Sequence, residues 1–332
     1  MSHIAVMGAG SWGTAFSLVL SDAGNEVRLW GRRRELCETV SATHHNPDYM
    51  PGIELPPTIT ADADPAHVIT DARVVVLALP SQSLREHLDM WTPLLRPDAV
   101  LVSLMKGVEL HSARRMSQVI DEVTGVGPGR IAVVTGPNLA REIAERQPAA
   151  SVVACADVDV AAALQRLCHT PTFRPYTNAD VVGCELGGAT KNVIALAVGM
   201  ATGLGFGDNT TASLITRGLA ETGRLAQAAG AEPLTLMGLA GLGDLVATCS
   251  SPLSRNRTFG EKLGAGMSVA EVSASTRQVA EGVKTCRSLC ELSARYGVEM
   301  PIVEAVTTVV EGDMTPKQML SAMMSRAARS ER

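Results

Sequence analysis

Ile4-Ala5-Val6-Met7 runs without a break into Gly8-Ala9-Gly10-Ser11-Trp12-Gly13, and a helix-like stretch follows to about Ala23. No other segment limits the possible folds as strongly as this apolar strand, glycine turn and helix. Gly8 suits a tight turn, Gly10 lets backbone approach a diphosphate, and Gly13 lets the helix sit close on the strand. The helix N-terminus offers unpaired N–H groups and the positive end of its dipole to an anion. A dinucleotide is the expected ligand; a glycine-rich turn without one is the alternative.

Further apolar runs at 27–30, 74–79, 100–104, 131–135 and 150–154 alternate with helix-like stretches. Runs apolar on both faces point to a parallel sheet covered by helices. After about Asp180 helical patterns take over, at 185–200, 210–227, 244–249, 257–263, 282–296, 302–311 and beyond Pro316. The expected fold is an α/β Rossmann-like N-terminal domain with a mostly parallel sheet, 1–180, then an all-α C-terminal domain, 181–332. A length of 332 residues favours two domains. With no low-complexity linker or repeat between them, the cleft where they meet is the expected site.

Composition narrows the function. A net charge of −5 and only three Trp, three Tyr and four Phe argue against a nucleic-acid partner, which would want a basic footprint and stacking rings. The uncharged stretch 192–207 is too short to cross a bilayer of about 30 Å as a helix, and it reads as a buried helix. With no export signal, a cytoplasmic protein is expected. Seven scattered cysteines without metal-ligand spacing read as reduced thiols, with no metal site.

The second strand ends in Trp30-Gly31-Arg32-Arg33-Arg34 rather than in the carboxylate that binds a ribose 2′-hydroxyl. Guanidinium groups there fork onto a 2′-phosphate, so NADPH is preferred and NADH tolerated less well. The alternative, a solvated basic helix start, is disfavoured by the helix dipole. Other strand ends carry Met105-Lys106-Gly107 and Gly136-Pro137-Asn138 on the same side. Lys106 reads equally as a substrate contact or an exposed lysine. Lys191 opens an apolar helix beside Gly187 and Gly188, either facing a ligand or extending its stem to water. Asp244 follows Gly241-Leu242-Gly243 and is a site carboxylate or a helix cap. Ser254-Arg255-Asn256-Arg257 combines a cap hydroxyl, free N–H groups and guanidiniums, a good phosphate site.

Together these residues resemble the NAD(P)-dependent glycerol-3-phosphate dehydrogenases of the bacterial type over essentially the whole chain. The most specific match is the run from Gly188 to Asn209, similar to that family's segment around its catalytic lysine. The resemblance implies reversible reduction of dihydroxyacetone phosphate to sn-glycerol 3-phosphate, with Lys191 exchanging the proton. It implies that Lys106 contacts substrate and cofactor, and that Ser11, Trp12, Arg32, Arg33, Ala140, Arg255, Val279 and Glu281 contact NADPH. It assigns Gly136, Asn138, Asp244, Ser254, Arg255 and Asn256 to the substrate. A homodimer is a family expectation. Thr190 stands where the family usually has an aliphatic residue, and Asn138 where it often has Ser.

An ordinary lysine pKa of about 10.4 would keep Lys191 protonated near neutrality, ready to act as general acid. The alternatives are a 3-hydroxyacyl-CoA, ketopantoate or 6-phosphogluconate dehydrogenase, or a non-catalytic NADPH-binding protein. No His-Glu pattern of the acyl-CoA type is evident, and Lys106, Lys191 and Asp244 together argue against loss of chemistry.

Overall fold

A computed structural model describes residues 3–275 and 280–325. Eight strands form one sheet: β1 (Ile4–Met7), β2 (Val27–Trp30), β3 (Ile59–Asp62), β4 (Val74–Leu77), β5 (Val100–Ser103), β6 (Ile131–Thr135), β7 (Ala149–Cys155) and β8 (Phe173–Asn178). Their order is β3-β2-β1-β4-β5-β6-β7-β8. The first six are parallel, β7 runs antiparallel to β6, and β8 is parallel to β7. The order 3-2-1-4-5-6 is that of the Rossmann fold, whose ligands bind beyond the carboxyl ends of the strands.

Alternation along each strand feeds two cores. Ile4 and Val6 join Phe16, Val76 and Val102 on one face; Ala5 and Met7 join Trp30, Leu77, Trp91 and Leu101 on the other. The interior strands are therefore largely apolar on both faces, with Arg28 of β2 the exposed exception. β3 and β8 were not among the expected strands, and both are outer strands of the sheet. Each carries polar, exposed positions, Thr60 in β3 and Arg174, Tyr176 and Thr177 in β8, and β8 contains Pro175, a residue sheets accept at their edges.

After β8 the described chain is helical. Val181–Gly203 is the axis of this half, a helix buried on all sides from Gly183 to Ala201. Around it lie Asp208–Ala228, Asp244–Ser250, Arg255–Gly264, Glu281–Arg295 and Pro301–Glu311. Asp180 caps the axis by accepting from the Gly183 N–H at 2.8 Å. The helix is longer than the uncharged stretch 192–207 suggested: 23 residues, long and apolar enough by composition to cross a membrane. Yet 89% of its apolar window is buried inside the protein. An all-round apolar surface here serves a core, and each buried Val, Ile or Leu contributes about 1.5–3 kcal/mol. The seven cysteines are unpaired, and burial pushes the Cys168 and Cys249 thiols up to about 12.

Candidate functional site

The glycine turn is built by steric necessity. Gly8 has φ +137°, and a Cβ there would lie 2.3 Å from the Ala78 carbonyl oxygen; a Cβ on Gly13 would lie 1.9 Å from the Gly8 oxygen. Only glycine lets strand, turn and helix approach this closely. At Gly10 a Cβ would meet nothing within 4 Å, so the backbone there is open to a ligand. Gly10 caps the helix Ser11–Asp22 without any side-chain hydrogen bond. The turn is braced from behind: Asn46 Nδ2 donates to the Ala9 carbonyl at 3.0 Å and to Thr14 Oγ1 at 2.9 Å, and Ser11 Oγ donates to the Tyr49 carbonyl. Trp12 Nε1 is buried and unpartnered among the described residues. Open backbone, an uncapped helix start and an unsatisfied donor fit the diphosphate of a dinucleotide.

Beyond β2, Arg32 and Arg33 are both exposed. Arg33 is already engaged: it donates to Asp48 Oδ2 at 2.5 Å and lies over the Tyr49 ring, and the Asp48 contact raises its pKa. Arg32 has no ion pair among the described residues. The two guanidiniums are thus not equivalent, a distinction the sequence did not carry.

Three chain segments converge around Asp244. Lys106, just beyond β5, donates to Asp244 Oδ2 at 2.6 Å and to the Gly136 carbonyl at 3.1 Å. Lys191, on the axial helix, donates to Asp244 Oδ1 at 2.5 Å and to Thr248 Oγ1 at 2.7 Å. The side chains of Asp244 and Lys191 are only 1% and 9% exposed. Solvated readings therefore fail here. Lys191 does not extend to water, and Asp244 does not cap its helix, which begins behind Gly243 while the carboxylate is shared by two ammoniums. Each ammonium has three N–H donors and spends two on the contacts named; the third on each lysine has no partner among the described residues.

Burial dominates the electrostatics. It lowers the Lys191 pKa to about 8; Asp244 pulls the other way and Lys106 adds to the lowering. The expectation of an ordinary lysine is corrected accordingly: at neutral pH Lys191 is protonated but much readier to release its proton.

The helix start at Ser254 is capped and tied to its neighbour. Ser254 Oγ caps Arg255–Gly264 by accepting from the Arg257 N–H at 3.3 Å, and Arg255 is exposed on the first turn. Asn256 is buried, and its Oδ1 accepts from the Gly282 N–H at 2.9 Å, tying this helix start to that of Glu281–Arg295. Burial raises the Glu281 pKa, opposed first by Arg255 and then by Lys106 and Lys191, so this carboxyl feels all three cations. Gly136, with φ +131°, presents its carbonyl to Lys106. Asn138 Nδ2 donates to Ser151 Oγ at 3.0 Å while its Oδ1 is buried without a partner among the described residues. Ala140 opens a short helix packed on the same core as Trp12. Val279 lies outside the described residues.

Two residues passed over in the sequence belong here. Thr248 stands four residues after Asp244 on one helix face, a spacing that was available to find it. Asn192 Nδ2 approaches the Lys106 carbonyl at 3.5 Å. The unusual Thr190 is accommodated: its hydroxyl donates to the Leu186 carbonyl at 2.8 Å and accepts from the Thr222 hydroxyl at 2.9 Å.

Residues 3–161 match the family described as NAD-dependent glycerol-3-phosphate dehydrogenase N-terminus, and 180–321 match its C-terminus. A glycerol-3-phosphate dehydrogenase [NAD(P)+] from Streptomyces coelicolor is 64% identical, covering 99% of this chain and 98% of the relative. One from Thermobifida fusca is 60% identical over 100% and 99%. Among solved structures, a glycerol-3-phosphate dehydrogenase from Coxiella burnetii superposes with a TM-score of 0.94 at 35% identity, over 98% of this chain and 99% of that one.

Proposed function

The chain belongs to the NAD-dependent glycerol-3-phosphate dehydrogenase family, and from that premise we propose that Lys191, Lys106 and Asp244 are the residues that carry its reaction. The protein is an oxidoreductase that reversibly reduces dihydroxyacetone phosphate to sn-glycerol 3-phosphate with a nicotinamide cofactor, providing the backbone of glycerophospholipids. The acyl-CoA, ketopantoate and non-catalytic alternatives are not favoured beside relatives of such identity.

When bound, the cofactor supplies the hydride that reduces the ketone carbon. Gly8, Gly10, Ser11, Trp12 and Gly13 hold its diphosphate side, with Ala140, Arg255, Val279 and Glu281 as further contacts. Arg32, with Arg33, receives a 2′-phosphate, which makes NADPH the preferred form over NADH. Lys191 then donates its proton to the ketone oxygen in reduction and recovers it from the alcohol in oxidation. Lys106 holds its ammonium toward that oxygen, where it offsets the negative charge that builds there in a site from which water is largely excluded. Asp244 holds both ammoniums on one centre, and Thr248 fixes the direction of the Lys191 N–H bonds. Arg255 and Asn256, at a helix start capped by Ser254, take the substrate phosphate, with Gly136 and Asn138 lining the approach.

The observation that carries this reading is the shared carboxylate, which brings a lysine from each half of the chain to one buried point, each with one N–H left without a partner among the described residues. The chain is divided into domains at 1–180 and 181–332 and acts in the cytoplasm, as a homodimer in keeping with the family resemblance. An absorbance assay of NADPH oxidation tests the whole: turnover with dihydroxyacetone phosphate is expected to exceed that with unphosphorylated dihydroxyacetone, and to be better with NADPH than with NADH. No oxidation with the phosphorylated ketone would overturn it.

A further inference from the structure

We propose that Glu185, paired with Arg115, is a positioning residue for the reaction, setting the register of the Lys191-bearing helix against the segment that carries Lys106. The proposal rests on the roles given to the two lysines above.

Glu185 lies on the axial helix six residues before Lys191, and its side chain is 3% exposed. Among the described residues its three donors come from one short segment of the other half of the chain: Arg115 Nη1, the Ser117 N–H at 2.7 Å and Ser117 Oγ at 2.6 Å. That segment opens the helix Met116–Thr124, where free N–H groups and the helix dipole favour a carboxylate.

Glu185 continues a stripe. Residues three and seven positions further along share its helix face, and these are Gly188 and Asn192. A Cβ on Gly188 would lie 3.3 Å from Lys106 Cγ, so the helix backbone is in contact with the lysine stem. Asn192 Nδ2 approaches the Lys106 carbonyl. One stripe thus reads the connection between β5 and Met116–Thr124 at both ends, at Lys106 and at 115–117, while Lys191 projects from the same helix toward Asp244.

Most of the axial helix is held by apolar packing, which is non-directional, with further polar contacts at Asp180, Thr190, Lys191 and Asn192; a slip of one residue moves a helix by about 1.5 Å along its axis and turns it by about 100°. Such a slip would carry Lys191 off Asp244. A carboxylate held by three donors resists it. The connection is fixed from its other side as well, where Arg295 donates to the Ser112 and His111 carbonyls and Glu291 accepts from the His111 N–H. His111 and Ala113 adopt positive φ, +65° and +46°, within it, conformations that surrounding structure must hold in place.

The test measures kcat for dihydroxyacetone phosphate, the cofactor dissociation constant and Tm for Glu185→Gln, for the double variant Glu185→Leu with Arg115→Met, and for Lys191→Ala. A small displacement of reacting groups costs up to about 10²-fold in rate, so Glu185→Gln is expected to lose about 10- to 100-fold in kcat with cofactor affinity within about twofold. The double variant replaces a buried ion pair by apolar groups, an exchange that often restores stability; it is expected to regain Tm without regaining kcat. Wild-type kcat in folded Glu185→Gln, or kcat returning together with Tm in the double variant, overturns the proposal in favour of a purely structural pair. Should neither variant fold, Ser117→Ala keeps the charges and removes one donor, with an expected loss in kcat of about threefold; an unchanged kcat would then be the overturning result. Lys191→Ala separates the two levels. Its retaining turnover would sink the site assignment itself, whereas its collapse beside a fully active Glu185→Gln would sink only the positioning role.

Discussion

Arg32 and Arg33 stand in water at the end of β2, whereas Lys106 and Lys191 are packed around one carboxylate at the end of the cleft nearer the axial helix. Both pairs are cationic, and both are proposed to meet an anion or a developing one. Their settings divide the work. Exposed charges act through a high dielectric and are screened by salt, so they select a ligand at modest strength. Buried charges act through a low dielectric, where a proton's position becomes sensitive to each neighbour. The negative surplus of the chain as a whole, −5, is compatible with both, because each pair acts on its immediate surroundings.

The contrast breaks most directly at Lys191. Lys191→Ala is expected to cost turnover by about 10²- to 10⁴-fold, the range for a positioned proton donor, with NADPH affinity nearly unchanged; steady-state kinetics beside a fluorescence titration of cofactor would show near-normal turnover if the assignment is wrong. Arg255→Ala should act on binding instead, weakening the substrate by about 1.5–3 kcal/mol if the guanidinium holds phosphate by charged hydrogen bonds. An unchanged KM for dihydroxyacetone phosphate would place the phosphate elsewhere.

The pH profile sharpens the buried side. Because burial lowers Lys191 to about 8, the protonated form needed for reduction is lost as pH rises through that value, and kcat/KM for ketone reduction should fall by about tenfold per unit above it. Oxidation of glycerol 3-phosphate needs the neutral amine and should rise through the same interval. A reductive profile that stays flat to pH 10 would contradict the desolvated lysine. The exposed pair should yield the smallest effect: Arg32→Asp with Arg33→Ala narrows the NADPH-over-NADH ratio by about tenfold or less, given the usual weakness of exposed charges. Since Arg33 is engaged by Asp48, Arg32→Asp alone should account for most of that change, and equal contributions from the two single variants would count against the asymmetry.

The two regions also differ in how much of them could be read in advance. The glycine turn is local: strand, turn and helix are contiguous, and the steric demands at Gly8 and Gly13 are visible in residue type and spacing alone. Interior strands and most of the C-terminal helices were readable for the same reason, since burial imprints a period on the sequence. The outer strands β3 and β8 were not, because a strand at a sheet edge keeps polar residues on its open side.

Residue types in the lysine cluster were likewise evident, but their meeting was not. Lys106, Lys191 and Asp244 lie 53 to 138 positions apart in the pairs that touch, and no local pattern encodes a contact at that range. Family resemblance named them; only the packed chain shows that one carboxylate serves both ammoniums and that Thr248 completes the group. The lowered proton affinity of Lys191 has the same origin, because desolvation is a property of what surrounds a side chain rather than of the side chain itself. By itself, then, the sequence determined the nucleotide turn, the run of interior elements and the inventory of charged groups, all of which follow from nearest neighbours and periodicity. The tertiary structure alone decided which of those charges are buried, which share a partner, and which way the axial helix is turned to bring them together.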